Sequence, residues 1–297
     1  MQTNNRKNMQ NKIKFSVITI VKGREAHLYN LLQGVKTSRL QPDEIRIVAI
    51  DEVPDLTAFK DLPIEISEIS SKGANLPIAE ARNIGAENAK FDHLIFLDVD
   101  CIPHPDFFDD MITQGLAHKT LIMGNPYYLE SSIPQNFELS DLEELSAAHP
   151  ARPEISELVE ASDYMLFWSL AFYIPKQLFK VLEGFDAQFT GYGAEDTDVA
   201  MKMRQMKSIY PLLLSPAKVY HQQHPVHSPP VHQVEAIVIN ARIFYEKWER
   251  WVMENWLEEF RKLGLIRWEA DGSTIEILKQ PDKGLIEQSY QPEAAYM

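Results

Sequence analysis

Short β-branched runs alternate with helix-period segments through the first hundred residues, and this alternation restricts the fold more than any other feature. "FSVITIV" (15–21), "EIRIVAID" (44–51), "IEISEIS" (64–70) and "HLIFL" (93–97) read as strands. Between them, "AHLYNLLQGVKTS" (26–38) and "LPIAEARNIGAENAK" (76–90) place apolar and alanine positions at helical spacing. Strand, helix, strand in succession builds a largely parallel sheet covered by helices, so the fold class is α/β. In such open sheets the ligand crevice lies beyond the carboxyl ends of the strands, where Asp51, Asp98 and Asp100 stand.

Asp98 and Asp100 follow the apolar run "LIFL" directly, with only Val99 between them. Side chains two apart on an extended chain point to one side at roughly 7 Å. Two like charges so placed call for a cation, and a hard divalent ion such as Mg2+ or Mn2+ suits oxygen ligands and bridges to phosphates. Alone, such a triplet equally fits a solvated loop. In a second cluster, "GFDAQFTGYGAEDTDVAMKMR" (184–204), Gly191 and Gly193 permit close backbone approach and Glu195, Asp196 and Asp198 fall on the first turn of a helix. The plain reading is an acidic cap; the functional one is a general base for a hydroxyl nucleophile. The third cluster, "KVYHQQHPVHSPPVH" (218–232), carries His221, His224, His227 and His232. It lacks a cysteine partner and the H-E-x-x-H helix of common zinc enzymes. Either these are surface histidines of a proline-rich loop, or one is a third ligand for the aspartate-bound cation.

The stretch 130–162 is acidic and proline-punctuated, which predicts an insertion with one short helix or a mobile loop. From 232 to 265 the sequence predicts one long amphipathic helical stretch rich in Trp and Phe, an arm packed on the main domain or an acceptor or partner surface. The expected organisation is a flexible N-terminus (1–13), a main domain (14–230) and a C-terminal helical extension and tail (231–297). With 43 acidic against 29 basic side chains and a net charge of -14, no nucleic-acid partner is expected. Cys101 is the only cysteine, so no intrachain disulfide forms, and the polar N-terminus has no signal-peptide core. The expectation is a soluble cytoplasmic protein, with peripheral association at the inner membrane face left open.

"FSVITIV", "AIDE", "EARNIGAENAKFDHLIFLDVDCIPHPD" and "GFDAQFTGYGAEDTDVAMKMR", in that order, resemble the family-two glycosyltransferases of the GT-A fold over about residues 14–230. The last segment also resembles the W-G-W-G-x-E-D-D-D pattern of β-1,4-galactosyltransferases, and "KGREAHL" (22–28) is similar to their F-R-N-R-x-x-H-L. The resemblance implies a metal-dependent, inverting enzyme that moves a sugar from a nucleotide sugar, a UDP-sugar by preference, to a saccharide or glycolipid hydroxyl. It implies Asp100 on a divalent metal, Mn2+ or Mg2+, with Asp98 near ribose or a metal-bound water and His221 or His224 completing the shell. Thr19, Val21, Arg24, Asp51, Arg82, Asp98 and Val99 would line the donor pocket, beside Asn83. Asp196 would be the catalytic base and Glu195 would hold the acceptor hydroxyl, with Trp168, Tyr192 and Gly193 in the acceptor and sugar pocket. Two departures stand out: the family's P-x-Y/F-N after the first strand reads "IVKGRE" here, around Lys22 and Arg24, and Tyr192 replaces the galactosyltransferase Trp.

Rival readings fit less of the sequence. A nucleotidyltransferase needs a glycine-rich phosphate loop after the first strand, and "TIVKGREAHL" has one glycine. A non-catalytic nucleotide- or carbohydrate-binding module has no chemical need for all four acids at 98, 100, 195 and 196. A retaining transferase of the same fold shares the aspartate pair and differs in anomeric outcome.

Overall fold

The computed structural model describes residues 13–294 apart from 72, 74, 135 and 153. The expected flexible N-terminus therefore lies outside the described residues up to position 12, while Ile13 already packs against the core.

The strands form where the alternation puts them. β1 (Phe15–Val21), α1 (Glu25–Thr37), β2 (Glu44–Ile50), β3 (Ile64–Ile69), α2 (Ile78–Asn88) and β4 (His93–Leu97) give four parallel strands in the order β3-β2-β1-β4. The chain continues through β5 (Cys101–Pro103), α3 (Phe107–His118), β6 (Ile122–Leu129), α4 (Leu139–Glu144), β7 (Ser146–Ala148), β8 (Val159–Glu160), β9 (Ala171–Pro175), α5 (Lys176–Val181), α6 (Glu195–Gln205) and β10 (Leu213–His221). β9 enters antiparallel between β4 and β6, and the sheet runs on through β6, β10 and β5. Strand order reverses direction at β1 and β4, which opens the crevice at their carboxyl ends.

Period-two alternation sends Phe15, Val17, Ile95 and Leu97 to one face of the sheet, against Leu28 and Leu31 of α1 and Phe107 and Phe108 of α3. Ile18, Leu94 and Phe96 face the other way, against Ala79, Ala86, Phe172 and Phe185. Each such fully buried side chain contributes about 1.5–3 kcal/mol, which is why strands covered on both faces read as nearly continuous apolar runs. Glycine at 85 brings α2 close to the sheet, because a Cβ there would stand 2.5 Å from Ile18 Cγ2. That helix carries Arg82.

The 130–162 insertion holds one short helix, α4, and is tied to the sheet by β7 on β6 and β8 on β10. Beyond β10 come β11 (Val226–His227), α7 (Val234–Trp248), α8 (Glu254–Lys262), β12 (Ile266–Trp268), β13 (Ile275–Ile277), α9 (Lys283–Ser289) and β14 (Tyr290–Gln291). The expected single helical stretch is thus two helices. The break runs from Glu249 (φ 52°) to Met253 (φ 57°), both left-handed, and turns Trp251 and Val252 into the core. This segment shares one apolar cluster with Phe189 and Ala194, which flank the 190–193 loop, so the arm packs on the main domain. No helix among the described residues is long and apolar enough to cross a membrane.

Candidate active site

β4 ends at Leu97 and the chain turns at once. The Asp98 N–H donates to the Leu170 carbonyl (2.7 Å), and the Cys101 N–H donates to the Asp98 carbonyl (2.9 Å). Cys101 then enters β5 opposite His221 of β10, and the Gln222 N–H donates to the Asp100 carbonyl (2.7 Å). The expectation that both acids face one side held for an extended chain. The turn separates them, and each acquires its own cationic partner.

Asp100 is buried beneath Arg24, which binds its Oδ2. His221 Nε2 stands 3.5 Å from Asp100 Oδ1 and His224 Nε2 3.6 Å from Oδ2. One ligand atom from each of Asp100, His221 and His224 lies within 4.8 Å of the others. Both histidines that the sequence left as alternatives are present, and Asp98 lies outside the cluster. Burial pushes the Asp100 carboxyl up, but His221, Arg24 and His224 outweigh it and hold it below the ordinary range. Burial lowers His221 to about 4, so its imidazole is neutral near pH 7. A carboxylate and two neutral imidazoles are a donor set that fits a divalent cation. His27, the histidine of "KGREAHL", was assigned no role in the sequence, yet its ring lies 6.4 Å from that of His224. Its carbonyl accepts from Gln222 Nε2 (3.1 Å). His227 and His232 lie outside the cluster, their rings in tilted contact with centroids 4.0 Å apart.

Asp98 pairs instead with Arg82, whose Nη2 is 2.9 Å from Oδ1. The other arm of the guanidinium, Nη1, reaches Glu195 Oε1 at 3.1 Å. Although burial works against its charge, Asp98 and then Glu195 hold Arg82 firmly protonated. Asn83 donates to the Phe185 carbonyl (2.7 Å) and accepts its N–H (2.9 Å), fixing α2 to the loop that leads to α6. α6 starts after Ala194 with no side-chain cap, so the acids of its first turn complement the helix dipole. Burial and then the neighbouring Glu195 push Asp196 up to about 7. Asp198 serves the fold: it is fully buried against Lys202 (3.2 Å), Lys247 (2.7 Å) and the Trp248 indole N–H (2.9 Å).

The 190–193 loop bends through Gly191 (φ 78°) and Gly193 (φ 87°), a conformation that disfavours other residues. Its carbonyls are clamped from α7: Asn240 Nδ2 donates to Thr190 O (3.0 Å), Tyr192 O (3.2 Å) and Gly193 O (2.9 Å). Sequence reasoning missed Asn240, which lies about fifty residues away in a helix with no motif. Tyr192 stacks near Trp256 at 5.3 Å, and Trp168 lies beneath Arg152 and beside His149 of the insertion. Asp51, in a left-handed turn, binds Lys22 and accepts the Ser71 N–H (2.7 Å). Thr19 is buried in β1, Val21 ends that strand, and Val99 is buried in the turn.

Taken with the fold, this arrangement defines a GT-A protein with its acids gathered at the strand ends. Residues 17–226 match the model described as "Glycosyltransferase like family 2". The chain belongs to that family. It is 24% identical over 213 residues to validoxylamine A glucosyltransferase of Streptomyces hygroscopicus subsp. limoneus, a match covering 63% of this chain and 47% of the relative. The chain thus spans about half the length of that curated relative. Residues 1–349 of S. aureus TarS superpose with a TM-score of 0.54 at 15% identity, over 78% of this chain and 66% of the other. The same fragment solved with UDP-GlcNAc gives 0.53 at 16%, over 78% and 67%. GalNAc-T7, solved with UDP, GalNAc and Mn2+, gives 0.52 at 16%, over 71% and 44%. At these identities the structures share the fold.

Proposed function

We propose that the protein is a metal-dependent, inverting glycosyltransferase that moves a sugar from a UDP-sugar to a hydroxyl of a saccharide or glycolipid. The observation that carries this reading is Arg82, which joins the acid at the end of β4 to the first acid of α6, so that donor-side and acceptor-side carboxylates share one crevice. Structural neighbours solved with UDP, with UDP-GlcNAc and with Mn2+ support the donor class and the cofactor. In the same reading "GYGAED" is the counterpart of the galactosyltransferase motif, with Tyr192 in place of Trp.

Asp100, His221 and His224 would hold the divalent ion, which when bound offsets the charge that grows on the leaving diphosphate. Asp98, held by Arg82, faces the ribose or a metal-bound water. Arg24 adds a positive charge beside the same aspartate, and Asp51 at the end of β2 contacts the base, in a pocket completed by Thr19, Val21 and Val99. On the other side Asp196 takes the proton of the attacking hydroxyl. Glu195, locked to Arg82, orients that hydroxyl, and Trp168, Tyr192 and Gly193 shape the sugar and acceptor pocket. A raised pKa suits Asp196 to this work, since a base is most effective when its pKa lies near the operating pH. Attack opposite the departing diphosphate inverts the anomeric centre in one step. The reading places the enzyme in the cytoplasm, working peripherally at the inner membrane face when the acceptor is a glycolipid.

A thermal-shift screen of nucleotide sugars with and without Mn2+ tests the donor and the metal together. A UDP-sugar that raises the melting temperature only with Mn2+ supports the proposal; no shift with any nucleotide sugar rejects it. The anomeric proton of the product, read by NMR, decides inversion against retention.

A further inference from the structure

Arg152, in the insertion, is a half-buried cation with no anion beside it among the described residues. Its guanidinium carbon lies 4.1 Å from the centre of the Trp168 ring, and its Nε and Nη2 atoms are buried without a hydrogen-bond partner among the described residues. No carboxylate pairs with it among the described residues. A desolvated guanidinium left unsatisfied is costly, because several donors lose water and gain nothing in return. The cation–π contact with Trp168 offsets part of that cost, and a charge-assisted hydrogen bond to an anion would add to it.

The residue is held in place and is linked through a chain of ring contacts to the Asp100 cluster. The Arg152 N–H donates to the His149 carbonyl (2.9 Å), while His149 Nδ1 accepts the Ala151 N–H (3.1 Å), so the ring closes the turn that presents Arg152. His149 packs edge-on to Trp168 at 4.7 Å and lies 5.3 Å from Tyr128, whose ring is 4.8 Å from that of His221. Rings therefore run without a gap from the Arg152 stack to a member of the cluster. Trp168 is also two residues from Leu170, whose carbonyl fixes Asp98. Burial and then Arg152 lower the His149 pKa, which leaves Arg152 as the positive charge of this corner.

We infer that Arg152, stacked on Trp168 and set by His149, is an oxyanion subsite that takes a phosphate-type group of a substrate. Planar guanidinium donors on a fixed aromatic platform match phosphate oxygens in pairs. Two sources carry this chemistry: the diphosphate of the donor, and a phosphate borne by the acceptor. The subsite itself follows from the geometry of Arg152, whereas the assignment of its ligand to donor or acceptor rests on the glycosyl-transfer reading.

The test, with Mn2+ present throughout, is calorimetric titration of wild-type and Arg152→Gln protein with UDP, with uridine, and with inorganic phosphate both alone and after saturation with UDP. If the donor diphosphate is the ligand, UDP weakens at least tenfold in Arg152→Gln and uridine binds as before. If the acceptor supplies the phosphate, UDP is unchanged and the phosphate isotherm on the UDP-saturated protein disappears. Identical isotherms for the two proteins in every titration overturn the subsite, even if Arg152→Gln melts earlier, since that pattern marks a purely structural arginine. Should Arg152→Gln fail to fold, Arg152→Lys keeps the charge without the fork, and an undiminished affinity there counts against the subsite. A wild-type protein that binds no UDP rejects the glycosyl-transfer reading, and the titration with phosphate alone still decides Arg152.

Discussion

Asp100 is buried and Asp196 half-buried, and their surroundings drive the two aspartates in opposite directions. Asp100 has Arg24, His221 and His224 around it and is held ionised below the ordinary range. Asp196 has burial and an adjacent Glu195 and rises to about 7, with Arg82 pulling more weakly the other way. The difference points to an electrostatic division of labour for the proposed roles: a carboxylate held ionised beside Arg24 and two imidazoles suits a metal ligand, and one crowded by another acid suits a proton acceptor. Asp100 lies in the turn between β4 and β5 and Asp196 in the first turn of α6, so both are set at the ends of regular elements.

The largest effect should come from removing the acceptor of the pair. Asp196→Asn should lower turnover by about 10²–10⁴-fold, the usual worth of a positioned base, with UDP and Mn2+ binding retained. Loss of UDP binding in the same variant would break the division. Next, Asp100→Asn should abolish the stabilisation by Mn2+, which for the wild type at a hundredfold excess over its dissociation constant is about 2.7 kcal/mol. His221→Ala and His224→Ala should each weaken Mn2+ by at least about tenfold in calorimetry, in line with the cost of disturbing a metal shell.

The comparison sharpens with pH. In the proposed role Asp196 must lose its proton to act, so kcat/KM should rise as pH climbs through about 7, and this limb should vanish in Asp196→Asn. Its folded pKa lies above the ordinary value of 3.8, so the native state holds the extra proton between pH 3.8 and about 7. Its contribution to stability is therefore complete below pH 3.8 and is lost as pH rises through about 7. Chemical denaturation of wild type and Asp196→Asn across that range should show the wild type losing stability relative to the variant. The smallest effect concerns the scaffold: Asn240→Ala leaves the carbonyls of the 190–193 loop unpaired and should cost about 1–3 kcal/mol in denaturant unfolding.

What the sequence revealed was what local rules govern. The parallel strands, the acids at their ends and the acidic first turn of α6 follow from period and from strand-end placement, and each stands in the structure where the spacing put it. Strand periodicity leaves open whether the chain turns after Leu97, since it says nothing about the backbone beyond the strand, and it is this turn that sends Asp98 to Arg82 and Asp100 to the histidines. Asp198 looked like its neighbours in sequence, but Lys247 and Trp248, fifty residues downstream, make it part of the fold. Arg152 and Asn240 were silent for the same reason, since each acquires meaning only from a partner brought near by the sheet or by α7.

Anomalous diffraction at the manganese edge, from crystals soaked with UDP and Mn2+, tests the central claim most directly. A single strong peak bounded by Asp100, His221 and His224, with the diphosphate beside it and Asp196 across the crevice, is the predicted result. Manganese bound at Asp98 without the histidines, or UDP bound away from this cluster, would contradict it.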